Sequence, residues 1–142
     1  MGAEPWSYFV PFQKDVQAAL EALREKEFRA GRYHGPHDYD PSVRKPGSIV
    51  ELMRQLEEAE FADGTRSILD MMTISDTPDF CTVSPLSSGE LLALYGTDKP
   101  THQMIEQNME FYESIERGQG IYIIVYEGDN PSELFFAGYS FD

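Results

Sequence analysis

The sequence predicts an α+β domain: a mainly antiparallel sheet of about four strands, with four helices largely on one face and a C-terminal β-hairpin. Three observations carry that expectation. Helical and strand periods alternate along the chain in the order β α α β α α β β, two serine–glutamate pairs stand at capping-box spacing, and two apolar, aromatic runs close the chain around a turn-rich stretch. The 142 residues fit one globular domain, 1–142, and 41% apolar content is enough for a core despite a net charge of −14.

Residues 6–12 alternate, placing Trp6, Tyr8, Val10 and Phe12 on one face of a strand. Pro11 has no amide donor, so this strand belongs at an edge or ends there. From Asp15 the period becomes helical, with Val16, Ala19, Leu20, Leu23 and Phe28 on one side and Gly31 placed to close the helix. Residues 32–46 hold Gly35, Pro36, Pro41 and Pro46 without apolar periodicity and read as a long irregular connection. A second helix opens where Ser48 and Glu51 can cap each other, buries Ile49, Leu52, Met53 and Leu56, and stops before Asp63-Gly64.

The run SILDMMTI within residues 66–74 can alternate as a strand or coil as a buried helix, and its turn-rich flanks and modest length favour the strand; residues 81–83 predict a further extended piece. Ser87 and Glu90 open a short helix through Leu91, Leu92, Leu94 and Tyr95 that Gly96 closes. Thr101 caps a helix expected to reach about Arg117, with Met104, Ile105, Asn108, Met109, Tyr112 and Ile115 on its apolar side; Gly118 and Gly120 end it. Residues 121–126, apolar on both faces, predict a strand inside the sheet. It should pair with residues 133–141 across Gly128-Asp129-Asn130-Pro131 as a hairpin with a longer loop.

Charge narrows the function classes. Residues 61–142 carry fourteen acidic and three basic residues, a net of −11, against eleven and eight in residues 1–60. Such a field attracts basic partners and repels nucleic acids and anionic membranes. No apolar run reaches bilayer length and the first residues have no signal-like pattern, so a cytoplasmic protein is expected. The single Cys81 agrees with a reducing compartment, excludes a cysteine-based zinc cluster and reads as a small core residue.

The candidate partner-binding residues follow from charge placement. On a helix from 101 to 117, Glu106, Glu110 and Glu113 would stand at i, i+4 and i+7, where each like-charge pair costs on the order of a few tenths of a kcal/mol. An ordinary exposed helix mixes in lysine, so this face predicts docking of a basic partner, with Asp129 and Glu133 at the hairpin as a second patch. His34, His37, Asp38 and Asp40 form the one dense set of metal-ligand types, although Val43 and Ile49 break the pattern of a calcium loop.

Asp70 would share the apolar face of the 66–74 strand, as a raised-pKa acid or, more commonly, a structural acid paired with Arg66 or a tyrosine hydroxyl. His102 has no visible nucleophile partner and reads as a surface histidine at a helix start, and no nearby positive charge activates Cys81. The hairpin aromatics Tyr122, Tyr126, Phe135, Tyr139 and Phe141 resemble a base-stacking platform in composition only, because residues 118–142 contain no Lys or Arg to track phosphates. No nucleotide-binding glycine loop, nucleophile elbow, paired-cysteine motif or His-Glu metalloprotease helix is present. These patterns predict a small acidic protein-binding module without a cofactor, an inhibitor, immunity-type protein or adaptor, acting as a monomer or homodimer. The alternative is a small enzyme or metal-binding protein using the His34–Asp40 loop.

Overall fold

A computed structural model describes residues 3–141. Five strands form one mixed sheet in the order β1-β5-β4-β3-β2: β1 (Pro5–Pro11), β2 (Thr73–Ile74), β3 (Thr82–Pro85), β4 (Gly120–Glu127) and β5 (Asn130–Tyr139). The β1–β5 and β5–β4 pairs are antiparallel, and the β4–β3 and β3–β2 pairs are parallel. The sheet is therefore mixed, with one strand more than expected. Its parallel half is hard to read from sequence because β2 and β3 contribute only two and four residues.

Among the described residues four α-helices accompany it: α1 (Val16–Ala30), α2 (Ile49–Glu58), α3 (Ser88–Tyr95) and α4 (His102–Gln107). Their ends obey local chemistry. Asp15 accepts from the Ala18 amide and Gly31 closes α1 at φ 73°. Ser87 and Glu90 bond each other's amides at 3.1 and 3.0 Å, and Gly96 closes α3 at φ 72°. At α2 the Ser48 hydroxyl accepts from the Glu51 amide, but the Glu51 carboxylate returns to Gly47 N at 3.0 Å instead of Ser48 N.

The helices do not gather on one face. On β5, Phe135 and Ala137 join a cluster with Leu91 of α3, Ile105 of α4 and Ile121, Ile123 and Val125 of β4. The intervening Leu134 and Phe136 join Ala19, Leu20 and Leu23 of α1 with Trp6, Ile68 and Met71. Side chains alternate across a strand, so these are the two sides of the sheet, and β4 is covered on both as its apolar run implies. Trp6 lies against two facing glycines: a Cβ at Gly138 would stand 2.5 Å from the indole, and one at its β4 partner Gly120 would stand 2.9 Å away.

Two predicted elements change. Residues 66–74 curl where a strand was expected: Ile68–Asp70 is a 3₁₀ turn, and only Thr73–Ile74 is extended. The Ser67 hydroxyl accepts from Leu69 N, and the Asp70 carboxylate accepts from Thr65 N and Oγ1, which bends the chain back on itself. A turn also buries Ile68, Leu69 and Met71 together, each at 0% exposure, where an alternating strand would expose one.

The second change lies in the acidic helix, which stops at Gln107 and resumes as a 3₁₀ helix over Glu110–Ser114. Asn108 causes the break. Its side-chain amide donates to Leu94 O at 3.0 Å, its own carbonyl accepts from Tyr95 Oη at 2.8 Å, and its Oδ1 accepts from Glu110 N. Tertiary hydrogen bonds to the end of α3 thus outcompete continuation of the helix. The hairpin loop is tighter than expected, with Glu127 facing Asn130 across Gly128-Asp129 and a bulge at Val125/Tyr126.

The sheet edges are guarded. The Gln17 side chain accepts from Ile74 N at 2.9 Å and from Thr73 Oγ1, occupying the main chain of β2. On β1 the register with β5, continued by Phe12 N donating to Ser132 O, turns the main-chain groups of Pro5, Ser7, Phe9 and Pro11 outward. Two of those four residues have no N–H.

Candidate functional site

The acidic residues singled out above fall into three places. Glu106 on α4 and Glu133 on β5 are brought together by His102, the first residue of α4. Its Nδ1 lies 2.7 Å from Glu133 Oε1, its Nε2 lies 3.4 Å from Glu106 Oε1, and its ring stacks on Phe9 of β1 at 3.7 Å between centroids. Glu110 and Glu113 sit three apart on the 3₁₀ turn, whose period keeps them on one side, but the break at Asn108 separates them from Glu106. Asp129 stands at the hairpin turn, 3.4 Å from Lys99 Nζ, which lies over the Tyr126 ring.

His102 is thus a clasp joining three elements, a role missed in the sequence, where the i, i+4 spacing to Glu106 was its visible signal. Both ring nitrogens face carboxylate oxygens, which accept and cannot donate, so both contacts are satisfied only by the imidazolium. A cation at a helix start opposes the helix dipole. The hydrogen bond to Glu133 outweighs this and, with the nearby Glu106 charge, pushes His102 above its ordinary range. The ring is 43% exposed, so solvent screens the effect. Its stabilisation is present below the unfolded value near 6.5 and is lost as pH rises through the raised native value. In an NMR titration, Glu133→Gln is expected to lower the His102 midpoint more than Glu106→Gln, following the two distances; an unmoved midpoint in Glu133→Gln would refute the clasp.

Of its four candidate ligands, the 32–46 loop brings His37 and Asp38 together and gives His34 and Asp40 other partners. The Asp38 carboxylate accepts from Gly35 N at 2.9 Å and lies 3.5 Å from His37 Nε2, while Asp40 Oδ1 accepts from Ser42 N and Oγ. His34 Nδ1 lies 3.4 Å from Tyr39 Oη. Among the described residues no group of three or more His, Cys, Asp or Glu side chains is placed to hold a metal ion.

Asp70 is 5% exposed and partnered by Thr65, where the sequence suggested Arg66 or a tyrosine. Burial pushes its carboxyl up, partly offset by the Thr65 amide and hydroxyl and the Arg66 and Ser67 amides. Cys81 is only partly buried and adopts φ 61°; burial, then Asp70 and Asp79, raises its thiol pKa, the opposite of an activated nucleophile. The hairpin aromatics divide, with Phe135 in the core while Phe141 stacks on the exposed Phe80 at 4.9 Å.

No family model, curated protein or solved structure matches this chain. Among the described residues no helix is long and apolar enough to cross a membrane.

Proposed function

We propose that the protein is a small acidic binding module that docks a basic surface of another protein, as an inhibitor, immunity-type protein or adaptor does. One observation carries this reading: Glu106, Glu110 and Glu113 are exposed, and no ion pair among the described residues joins them to a lysine or arginine. Four of the eight cations in residues 1–60 are paired locally, in Arg29–Glu25, Arg32–Glu27, Arg44–Glu51 and Arg54–Glu58. Glu106 has the His102 imidazolium beside it, Glu110 and Glu113 have no ion pair among the described residues, and the net acidic excess presents its field to solvent.

Charge of this kind sets association rate and partner choice more than affinity. The test is the triple variant Glu106→Lys, Glu110→Lys, Glu113→Lys, used as bait beside the unaltered protein. Capture of a basic partner should weaken with added salt, and association should slow roughly tenfold or more in the variant. Capture that ignores both salt and charge reversal overturns the reading.

A further inference from the structure

We propose that a gap in the sheet beside Ile124 is a docking notch for one short extended segment of the basic partner, which pairs its main chain with Ile124 and lays an apolar side chain between Tyr122 and Tyr126. This rests on the docking function proposed above and names how the partner is held. The parallel ladder of β3 ends at Pro85↔Tyr122, extended by Leu86 N donating to Tyr122 O at 3.3 Å. Further along the same side of β4, Tyr126 N donates to Pro100 O at 2.9 Å. Between them, Ile124 has no main-chain partner on that side among the described residues.

Its groups have a defined direction. Tyr139 N donates to Gln119 O, so the odd-numbered residues of β4 exchange bonds with β5, and Ile124↔Leu134 is a non-bonded pair. The Ile124 N–H and C=O therefore point to the β3 side, and no group among the described residues bonds to them there. A cavity of about 240 Å³ opens at this place, with Leu86, Leu91, Lys99, Tyr122, Ile124 and Tyr126 among its lining residues.

An adjacent donor and acceptor on one backbone residue are matched by the N–H and C=O of an extended peptide, whereas a simple ion meets one of the two. The side chains of Tyr122, Ile124 and Tyr126 fall on the same face of β4, offering a small apolar residue two rings and an aliphatic floor. Charge supplies the remaining constraint. Asp98 is exposed at the cavity, and Asp129, with a side chain 92% exposed, has Lys99 as its ion-pair partner among the described residues. Lysine or arginine beside the inserted residue complements Asp98, whereas Asp129 is already paired with Lys99, which itself lines the cavity.

The test uses the intact, ¹⁵N-labelled protein and two blocked peptides, acetyl-Lys-Arg-Val-Arg-amide and the same peptide N-methylated at valine. The pair differ in one amide donor and not in charge. The first should shift the Ile124 amide downfield and slow its exchange; the second, which cannot donate to the Ile124 carbonyl, should bind about tenfold more weakly. Ser88→Trp, at an exposed position lining the cavity, should weaken the first peptide without lowering the thermal midpoint. Equal binding of both peptides, with shifts confined to Glu106, Glu110 and Glu113, or full affinity in folded Ser88→Trp, overturns the notch and leaves charge docking standing. Binding of neither peptide at low salt overturns both.

Discussion

Phe111→Ala is expected to lower stability by about 3–5 kcal/mol, the range for emptying a buried aromatic site. Phe111 is 2% exposed and meets the Phe135 ring at 5.7 Å in an edge-on arrangement, so truncation leaves a cavity against the sheet. The position matters because Phe111 lies between Glu110 and Glu113. A 3₁₀ helix of five residues has little intrinsic stability, and this one carries two like charges on one side. It is held by Phe111 below and by Tyr112, whose hydroxyl donates to Trp6 O at 2.8 Å. Urea unfolding should therefore show the full loss, and amide exchange over Glu110–Ser114 should rise in conditions where the sheet stays protected. A loss under 1 kcal/mol would mean that the turn is not anchored this way.

Asp70→Ala should cost about 3 kcal/mol, because Thr65 N and Oγ1 lose their acceptor inside the protein. Asp70→Asn should behave differently. It keeps an acceptor for Thr65 and replaces Oδ2, which has no hydrogen-bond partner among the described residues, with an uncharged group. Because burial raises the native pKa of Asp70, the native state holds this proton to higher pH than the unfolded chain. The group's contribution is thus fully present below the unfolded value near 4 and declines as pH rises through the raised native value. The difference in thermal midpoint between the unaltered protein and Asp70→Asn should shift against the unaltered protein across that window. A pH-independent difference would show that the two states bind this proton equally, so that burial does not raise the Asp70 carboxyl.

These two sites mark what sequence can carry. The ends of α1 and α3 are legible because Asp15, Gly31, Ser87, Glu90 and Gly96 act within one turn of themselves. The central position of β4 is legible too, since residues apolar on both faces need cover on both. The curl at Asp70 was missed although its signal is local: Thr65, Ser67 and Asp70 are side-chain acceptors and donors within six residues, and their competition with the backbone should have outranked apolar alternation. The break at Asn108 had no local signal, because Leu94 and Tyr95 lie more than ten residues away. Of the acidic sites, Glu106 and Glu133 proved to be neighbours through a histidine 31 positions from Glu133, a distance no spacing rule spans.

The guarded sheet edges have a consequence for the protein at mild acid. Near its isoelectric point of about 4.4 the net charge vanishes, and mutual repulsion no longer keeps molecules dispersed. What then opposes stacking into a fibre is the rim itself. A second copy approaching β1 finds two amide donors between two prolines, and one approaching β2 finds a two-residue strand already taken by Gln17. Neither rim can seed a continuous ladder, so loss of charge should produce reversible precipitation of folded molecules in place of cross-β growth.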